Sequence, residues 1–139
     1  MKVLVTGGCG YIGAHTIVDL INNGFDVVSV DSNIRSTTQL LEGVEKITGK
    51  KVRNYKVDLC NLEDTNAVFH ENRDIVGVIH FAALKAVGES VHEPLMYFQN
   101  NLTSLVNVLK CVKEYNIPNL VFSSSCSVYG NTTALPVVE

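Results

Sequence analysis

The chain has 139 residues, the size of a single domain with one core, and a two-domain enzyme of ordinary proportions does not fit in it. With 46% hydrophobic and 18% charged residues it has the composition of a folded chain, and disorder is not expected. Eleven Lys and Arg against 14 Asp and Glu give a net charge of -3. There is no basic field to draw in a phosphate backbone, so nucleic acid is not expected as a partner.

The apolar start, Val3 to Val5, is too short for a signal peptide, and no stretch approaches bilayer-spanning length. A cytoplasmic location without membrane contact is the expectation. Cys9, Cys60, Cys111 and Cys126 are scattered without a C-x-x-C pair, so the sequence predicts reduced, mainly structural cysteines and no metal site.

Short apolar runs alternate with helical stretches along the whole chain. That pattern predicts an α/β fold, a doubly wound parallel sheet of the Rossmann-like kind with helices on both faces. The first strand is expected at Lys2 to Thr6 and the first helix at Tyr11 to Asn23, with a glycine-rich turn between them. Gly7, Gly10 and Gly13 make G-x-x-G-x-x-G, and Gly8, Gly10 and Gly13 also satisfy G-x-G-x-x-G. In either frame the early glycine permits a tight turn, Gly10 lets backbone approach a pyrophosphate, and Gly13 brings helix and strand together. The helix N-terminus then offers N–H groups and a positive dipole end to phosphates.

The second strand, Asp26 to Asp31, ends in an acid eighteen residues after Gly13, close to the spacing at which an acid meets the adenosine ribose. A carboxylate there accepts from a free 2′-hydroxyl and repels a 2′-phosphate, which favours NAD over NADP. Arg35, four residues on, weakens that preference because it can receive the phosphate. A second helix is expected at Thr37 to Thr48, and Gly24 and Gly49 stand where C′ glycines stop the first two helices.

The third strand, Lys51 to Val57, delivers Asp58 to the same crevice. Asp58 either recognises an adenine edge, with Leu59 packing on the ring, or caps the third helix at Leu62 to Glu71. The fourth strand, Ile75 to His80, leads into FAALKAVGES. Small residues there leave room for a ligand. Lys85 reads equally as a cation for a phosphate or ribose and as a solvated loop lysine, and His80 reads as a packed strand-end residue before a catalytic base.

The fourth helix, Pro94 to Tyr115, carries an apolar stripe of Leu95, Phe98, Leu102, Leu105 and Leu109, widened by Val106, Val108 and Val112. It needs cover on more than one side, by burial against the sheet or in a subunit interface. The fifth strand, Asn119 to Ser123, opens VFSSSCSVYG, with four hydroxyls in five residues. They serve either as turn and cap groups or as a holder for a sugar or alcohol hydroxyl beside a nicotinamide, and the second role needs a separate acid/base partner. The sheet is expected to be truncated after this strand, the mark of a fragment.

TGGCGYIGAHT, HFAALKAVGESVHEPLMYFQNN and VFSSSCSVYG together closely resemble the N-terminal half of the UDP-glucose 4-epimerases of the extended short-chain dehydrogenase/reductase family, and the resemblance spans all 139 residues. TGGCGYIG fits many members of the wider family. LKAVGES followed by P-L-x-Y-F-x-N-N is more specific to the epimerases than to the nucleotide-sugar dehydratases and decarboxylases, which remain an alternative.

The resemblance implies that Gly7, Gly10, Tyr11, Ile12 and Gly13 surround the NAD pyrophosphate. It implies Asp31, Asn33 and Ser36 at the adenosine ribose and phosphate region, and Asp58 with Leu59 at the adenine. Phe81, Ala82, Ala83 and Lys85 then line the middle of the cofactor, Asn100 joins from the long helix, Ser123 meets the nicotinamide side, and Ser125 matches the catalytic serine. The implied chemistry interconverts UDP-galactose and UDP-glucose through a transient 4-keto sugar, with a Tyr-x-x-x-Lys tyrosine as base. The long helix, residues 94–115, is implied in a homodimer interface.

None of the five tyrosines has a lysine four residues later, so that base is expected beyond Glu139, together with the last strands and a C-terminal substrate domain. Residues 1–139 are thus expected to be an incomplete NAD-binding domain, inactive alone, with a noncatalytic NAD-binding module as the alternative from another class. DSNIRS is an atypical form of the family's turn after the second strand.

Overall fold

The computed structural model describes residues 1–130 and Pro136. Five strands alternate with helices in the order β1 (Lys2–Thr6), α1 (Tyr11–Asn22), β2 (Asp26–Val30), α2 (Gln39–Thr48), β3 (Arg53–Tyr55), α3 (Leu62–Glu71), β4 (Ile75–His80), α4 (Val87–His92), α5 (Pro94–Glu114) and β5 (Asn119–Phe122). A 3-10 turn at Cys126–Tyr129 follows β5. All pairings are parallel and the strand order is β3-β2-β1-β4-β5. The chain crosses from β3 to the far side of β1 to begin β4, so the order reverses at β1, where open α/β sheets bind their ligands.

The near-continuous apolar strands β1, β2 and β4 are largely buried on both faces, as their Val and Ile content predicts, whereas Val121 and Phe122 of β5 are exposed. Leu4 points into a cluster with Val28, Val30, Phe69, Val78 and Val108. Its neighbours Val3 and Val5 point the other way, toward Ile17, Ile21, Val27, Leu41 and Val44. Period-two alternation along β1 thereby divides one strand between two cores.

The expected elements are present with trimmed ends, and Gly24 and Gly49, at φ of +84° and +70°, close the first two helices in the left-handed conformation. The third strand is shorter than Lys51 to Val57, because only Arg53–Tyr55 have register partners on β2. α4 was not expected. Its VGESVH segment is rich in Gly and Val and poor in helix propensity, and a tertiary contact supports it: the Ala86 amide donates to the Tyr97 hydroxyl on α5 at 3.1 Å.

The α5 stripe is divided, with Val108 in the core beneath the sheet and most of its leucine edge turned away from it. Leu95, Phe98 and Leu102 are 82%, 66% and 57% exposed, and Val106 and Leu109 also lie open. The face turned inward carries Tyr97, Ser104, Asn107, Val108 and Cys111. Asn107 explains the inversion, since its amide donates to the Leu59 and Cys60 carbonyls at 2.9 and 3.1 Å and so ties α5 to the loop after β3. Among the described residues no helix is long and apolar enough to cross a membrane.

Candidate functional site

At the carboxyl end of β1 the backbone turns through Gly7, at φ +69°, and enters α1 behind an extended Gly10. A Cβ on Gly7 would stand 3.0 Å from the Ala82 nitrogen, and one on Gly13 would stand 2.8 Å from the Gly8 Cα and nearer still to the Gly7 carbonyl oxygen. Only glycine permits this approach of three backbones. No side chain caps α1, and no acid occupies its first turn. The helix start is therefore left for an anion to meet. Tyr11 and Ile12 lie exposed on that first turn.

One wall of the crevice is the end of β2. The Asp31 carboxylate accepts from the Cys9 amide at 3.1 Å, from the Asn33 amide at 3.0 Å and from the Ser36 hydroxyl at 2.7 Å. Asn33 holds a left-handed φ of +56°, tolerated by Asn, which lets the turn fold back on the carboxylate. Asn54 on β3 braces the turn, its amide donating to the Asn33 side chain at 3.0 Å while its carbonyl accepts from Ser29 at 2.7 Å. Asn33 and Ser36 thus act as supports of Asp31. Asn54 carried no sequence signal, because its part depends on β3 pairing beside β2.

Asp58 is exposed and accepts from the Cys60 amide at 2.9 Å. It does not cap α3: Asn61 does, accepting from the Glu63 and Asp64 amides. The Leu59 side chain is buried in the core beneath β2 and β4, so the exposed group of this pair is the Asp58 carboxylate. Asn100 accepts weak hydrogen bonds from the Cys60 thiol and donates to Asn101, placing the middle of α5 beside the β3 end.

The other wall follows β4. Thr6 is its organiser, a residue that sequence reading passed over. Its hydroxyl accepts from the Phe81 and Ala82 amides at 3.1 and 3.2 Å and lies 2.9 Å from His80 Nδ1. With both lone pairs engaged, the hydroxyl proton goes to Nδ1, so the neutral ring carries its proton on Nε2. His80 is 2% exposed and stacked on Phe122, and burial pushes its pKa down to about 4. It is a packed residue of the strand end. Ala83 and Lys85 are exposed beyond it, and among the described residues Lys85 has no ion-pair partner.

β5 brings its hydroxyls to the same end. The Ser123 amide donates to the His80 carbonyl at 3.1 Å, and Ser125 stands exposed at the start of the 3-10 turn, its carbonyl accepting from the Val128 amide at 3.2 Å. The strand ends gather the glycine turn, Asp31, Asp58, residues 81–85 and the serines on one edge of the sheet. Among the described residues no group of three or more His, Cys, Asp or Glu is arranged to hold a metal.

Residues 3–139 match the model of the NAD dependent epimerase/dehydratase family. The chain belongs to that family. Among its relatives, the UDP-glucose 4-epimerase of Schizosaccharomyces pombe is 51% identical across 99% of this chain, and that of Bacillus subtilis is 47% identical across all of it. Among solved structures, the UDP-glucose 4-epimerase of Bifidobacterium longum in complex with NAD+ and UDP superposes over the whole chain with a TM-score of 0.94 at 49% identity. The chain spans 39% and 41% of the lengths of the two curated relatives and 41% of the Bifidobacterium longum chain. The fold and family expected from the glycine turn and LKAVGES therefore hold.

The His80 environment makes stability pH-dependent. Its folded pKa of about 4 lies below the ordinary value of 6.5, so the unfolded chain takes up the proton first as pH falls. The stabilisation is complete above pH 6.5 and is lost progressively toward pH 4, amounting to about 3 kcal/mol at most. Urea midpoints between pH 7 and 5 are expected to fall more steeply in the wild type than in His80→Phe. Parallel slopes in the two proteins would contradict it.

Proposed function

We propose that residues 1–139 act as the NAD-binding domain of a UDP-glucose 4-epimerase, which interconverts UDP-galactose and UDP-glucose. The observation that carries this reading is the junction of a glycine turn too crowded for a Cβ at Gly8 and Gly13 with a carboxylate held at the end of the next strand. The cradle fits a dinucleotide. Gly7, Gly10, Tyr11, Ile12 and Gly13 offer backbone to the pyrophosphate, and the Asp31 carboxylate accepts from the adenosine ribose hydroxyls. Asn33 and Ser36 keep that carboxylate in place. Asp58, followed by Leu59, takes the adenine edge.

Phe81, Ala82, Ala83 and Lys85 line the middle of the site with Asn100, and Ser123 meets the nicotinamide end. Bound there, NAD supplies a hydride acceptor and donor. Ser125 holds the reacting sugar hydroxyl by a hydrogen bond and so orients it toward that end, while the proton itself passes to an acid/base partner. No tyrosine in these residues stands four before a lysine.

Two further parts belong to the same proposal. The exposed Leu95, Phe98, Leu102, Val106 and Leu109 of α5 form an apolar stripe of the kind a second copy covers, giving a homodimer. Cys9, Cys60 and Cys111 are free thiols, as a reducing cytoplasm keeps them.

Titration calorimetry with NAD tests the cradle. Asp31→Ala removes charge-assisted hydrogen bonds and is expected to weaken NAD by roughly ten- to hundredfold; equal affinity of the two proteins would refute the ribose contact. A coupled epimerase assay on residues 1–139 is expected to give no turnover, and ordinary turnover would show that the missing tyrosine is dispensable. Sedimentation at micromolar concentration is expected to show a dimer that Leu102→Glu separates. A wild-type monomer would remove the α5 interface.

A further inference from the structure

Arg35 is the sole cation of the loop between β2 and α2, DSNIRSTT. The loop folds back on Asp31, whose carboxylate accepts from the Asn33 amide and the Ser36 hydroxyl on either side of Arg35. Its backbone is therefore bracketed against the group proposed to face the adenosine ribose, within a side chain's reach of a 2′-phosphate. The guanidinium points elsewhere. Its Nη2 donates to Glu89 Oε1 on α4 at 2.7 Å. The other Glu89 oxygen accepts from the Tyr97 hydroxyl at 2.6 Å, and that hydroxyl in turn accepts from the Ala86 amide at 3.1 Å.

Glu89 is thus fixed from α5 before it meets Arg35. Hydrogen bonds from Arg35 first, and then from Tyr97, hold its carboxyl below the usual carboxylate range, so it stays charged near neutrality. The contact also joins the two walls of the crevice, because Arg35 follows β2 and Glu89 follows β4, the strands on either side of β1.

We propose that Glu89 is a remote determinant of dinucleotide choice: by pairing with Arg35 it withholds the loop's cation from a 2′-phosphate and leaves Asp31 to select the free 2′-hydroxyl. A carboxylate alone disfavours NADP, whereas a neighbouring arginine offsets that repulsion by bidentate hydrogen bonding to phosphate. Glu89 sits in LKAVGES, more than fifty residues from the ribose-facing acid, and acts on specificity without touching the cofactor. The side chains of the pair are 52% and 31% exposed, so solvent moderates their attraction and the expected effect is several-fold in size.

The inference rests on the reading of the glycine turn and Asp31 as a dinucleotide site. The test is calorimetric titration of NAD and NADP, in about 0.15 M salt to suppress long-range charge effects, on wild type, Glu89→Gln, Glu89→Ala, Arg35→Ala and Arg35→Ala/Glu89→Gln. Freeing Arg35 in either Glu89 variant is expected to strengthen NADP about three- to fivefold while NAD changes less than about twofold. Arg35→Ala in the wild-type background is expected to change neither by more than about twofold, and in the Glu89→Gln background to abolish the gain.

An NADP gain that survives loss of Arg35 would assign the effect to Glu89's own charge and overturn the proposal. Unchanged NADP binding in both Glu89 variants, or equal gains for NAD and NADP, would overturn it as well. A wild type that binds neither dinucleotide removes the site reading itself and the inference with it, a failure distinct from normal NAD binding with no gain for NADP.

Discussion

A Cβ at Gly7 would lie 3.0 Å from the Ala82 nitrogen, and one at Gly13 would lie 2.8 Å from the Gly8 Cα. The carboxyl end of the sheet is thus built from three backbone segments closer together than side chains allow. Because the loop after β4 presses on the turn after β1, the two sides of the switch point form one rigid floor. Thr6 fixes the contact from below by accepting from the Phe81 and Ala82 amides and donating to His80. A neutral His80 is the condition for that arrangement, since a protonated ring has no lone pair at Nδ1 to accept the hydroxyl. Burial, which disfavours its charged form, keeps it so.

The fold was legible because the strands obey a simple rule. Sheets covered on both faces need runs of Val, Ile and Leu, and β1, β2 and β4 supply them. The glycine turn was legible for a related reason, since backbone crowding leaves one residue type able to serve. What escaped were residues whose role is set by tertiary neighbours. Thr6, Asn54 and Tyr97 look ordinary in sequence, and each gains its function from a partner brought in by the sheet or by helix packing. Asp58 shows the same limit. Its position suited a cap, yet Asn61, three residues on, reaches the free amides of α3.

The long helix illustrates how periodicity can reveal a stripe and leave its direction open. A hydrophobic stripe predicts a buried face, but the 3.6-residue period does not say what buries it. In α5 the inward face is the smaller and more polar one, because Asn107 is needed to satisfy the carbonyls of Leu59 and Cys60. Unpaired carbonyls in the interior cost more than exposed leucines, because a buried polar group without a hydrogen bond loses its hydration with nothing in return. The stripe is left outward by that priority.

Charge is the remaining constraint on the site. In the proposed site a dinucleotide would bring two phosphates to a chain of net charge -3, into a crevice that already contains Asp31 and Asp58. Few cations offset this, since Lys85 is exposed at the rim and Arg35 is committed to Glu89. On that proposal, attraction for the pyrophosphate would come from uncharged groups, the N–H dipoles at the uncapped start of α1, which gain strength where bulk water is displaced. Such donors act only at hydrogen-bond distance, whereas a lysine acts from several ångströms away. Close approach then becomes a requirement of binding, and the absence of side chains at Gly7, Gly10 and Gly13 is what the lack of cations demands.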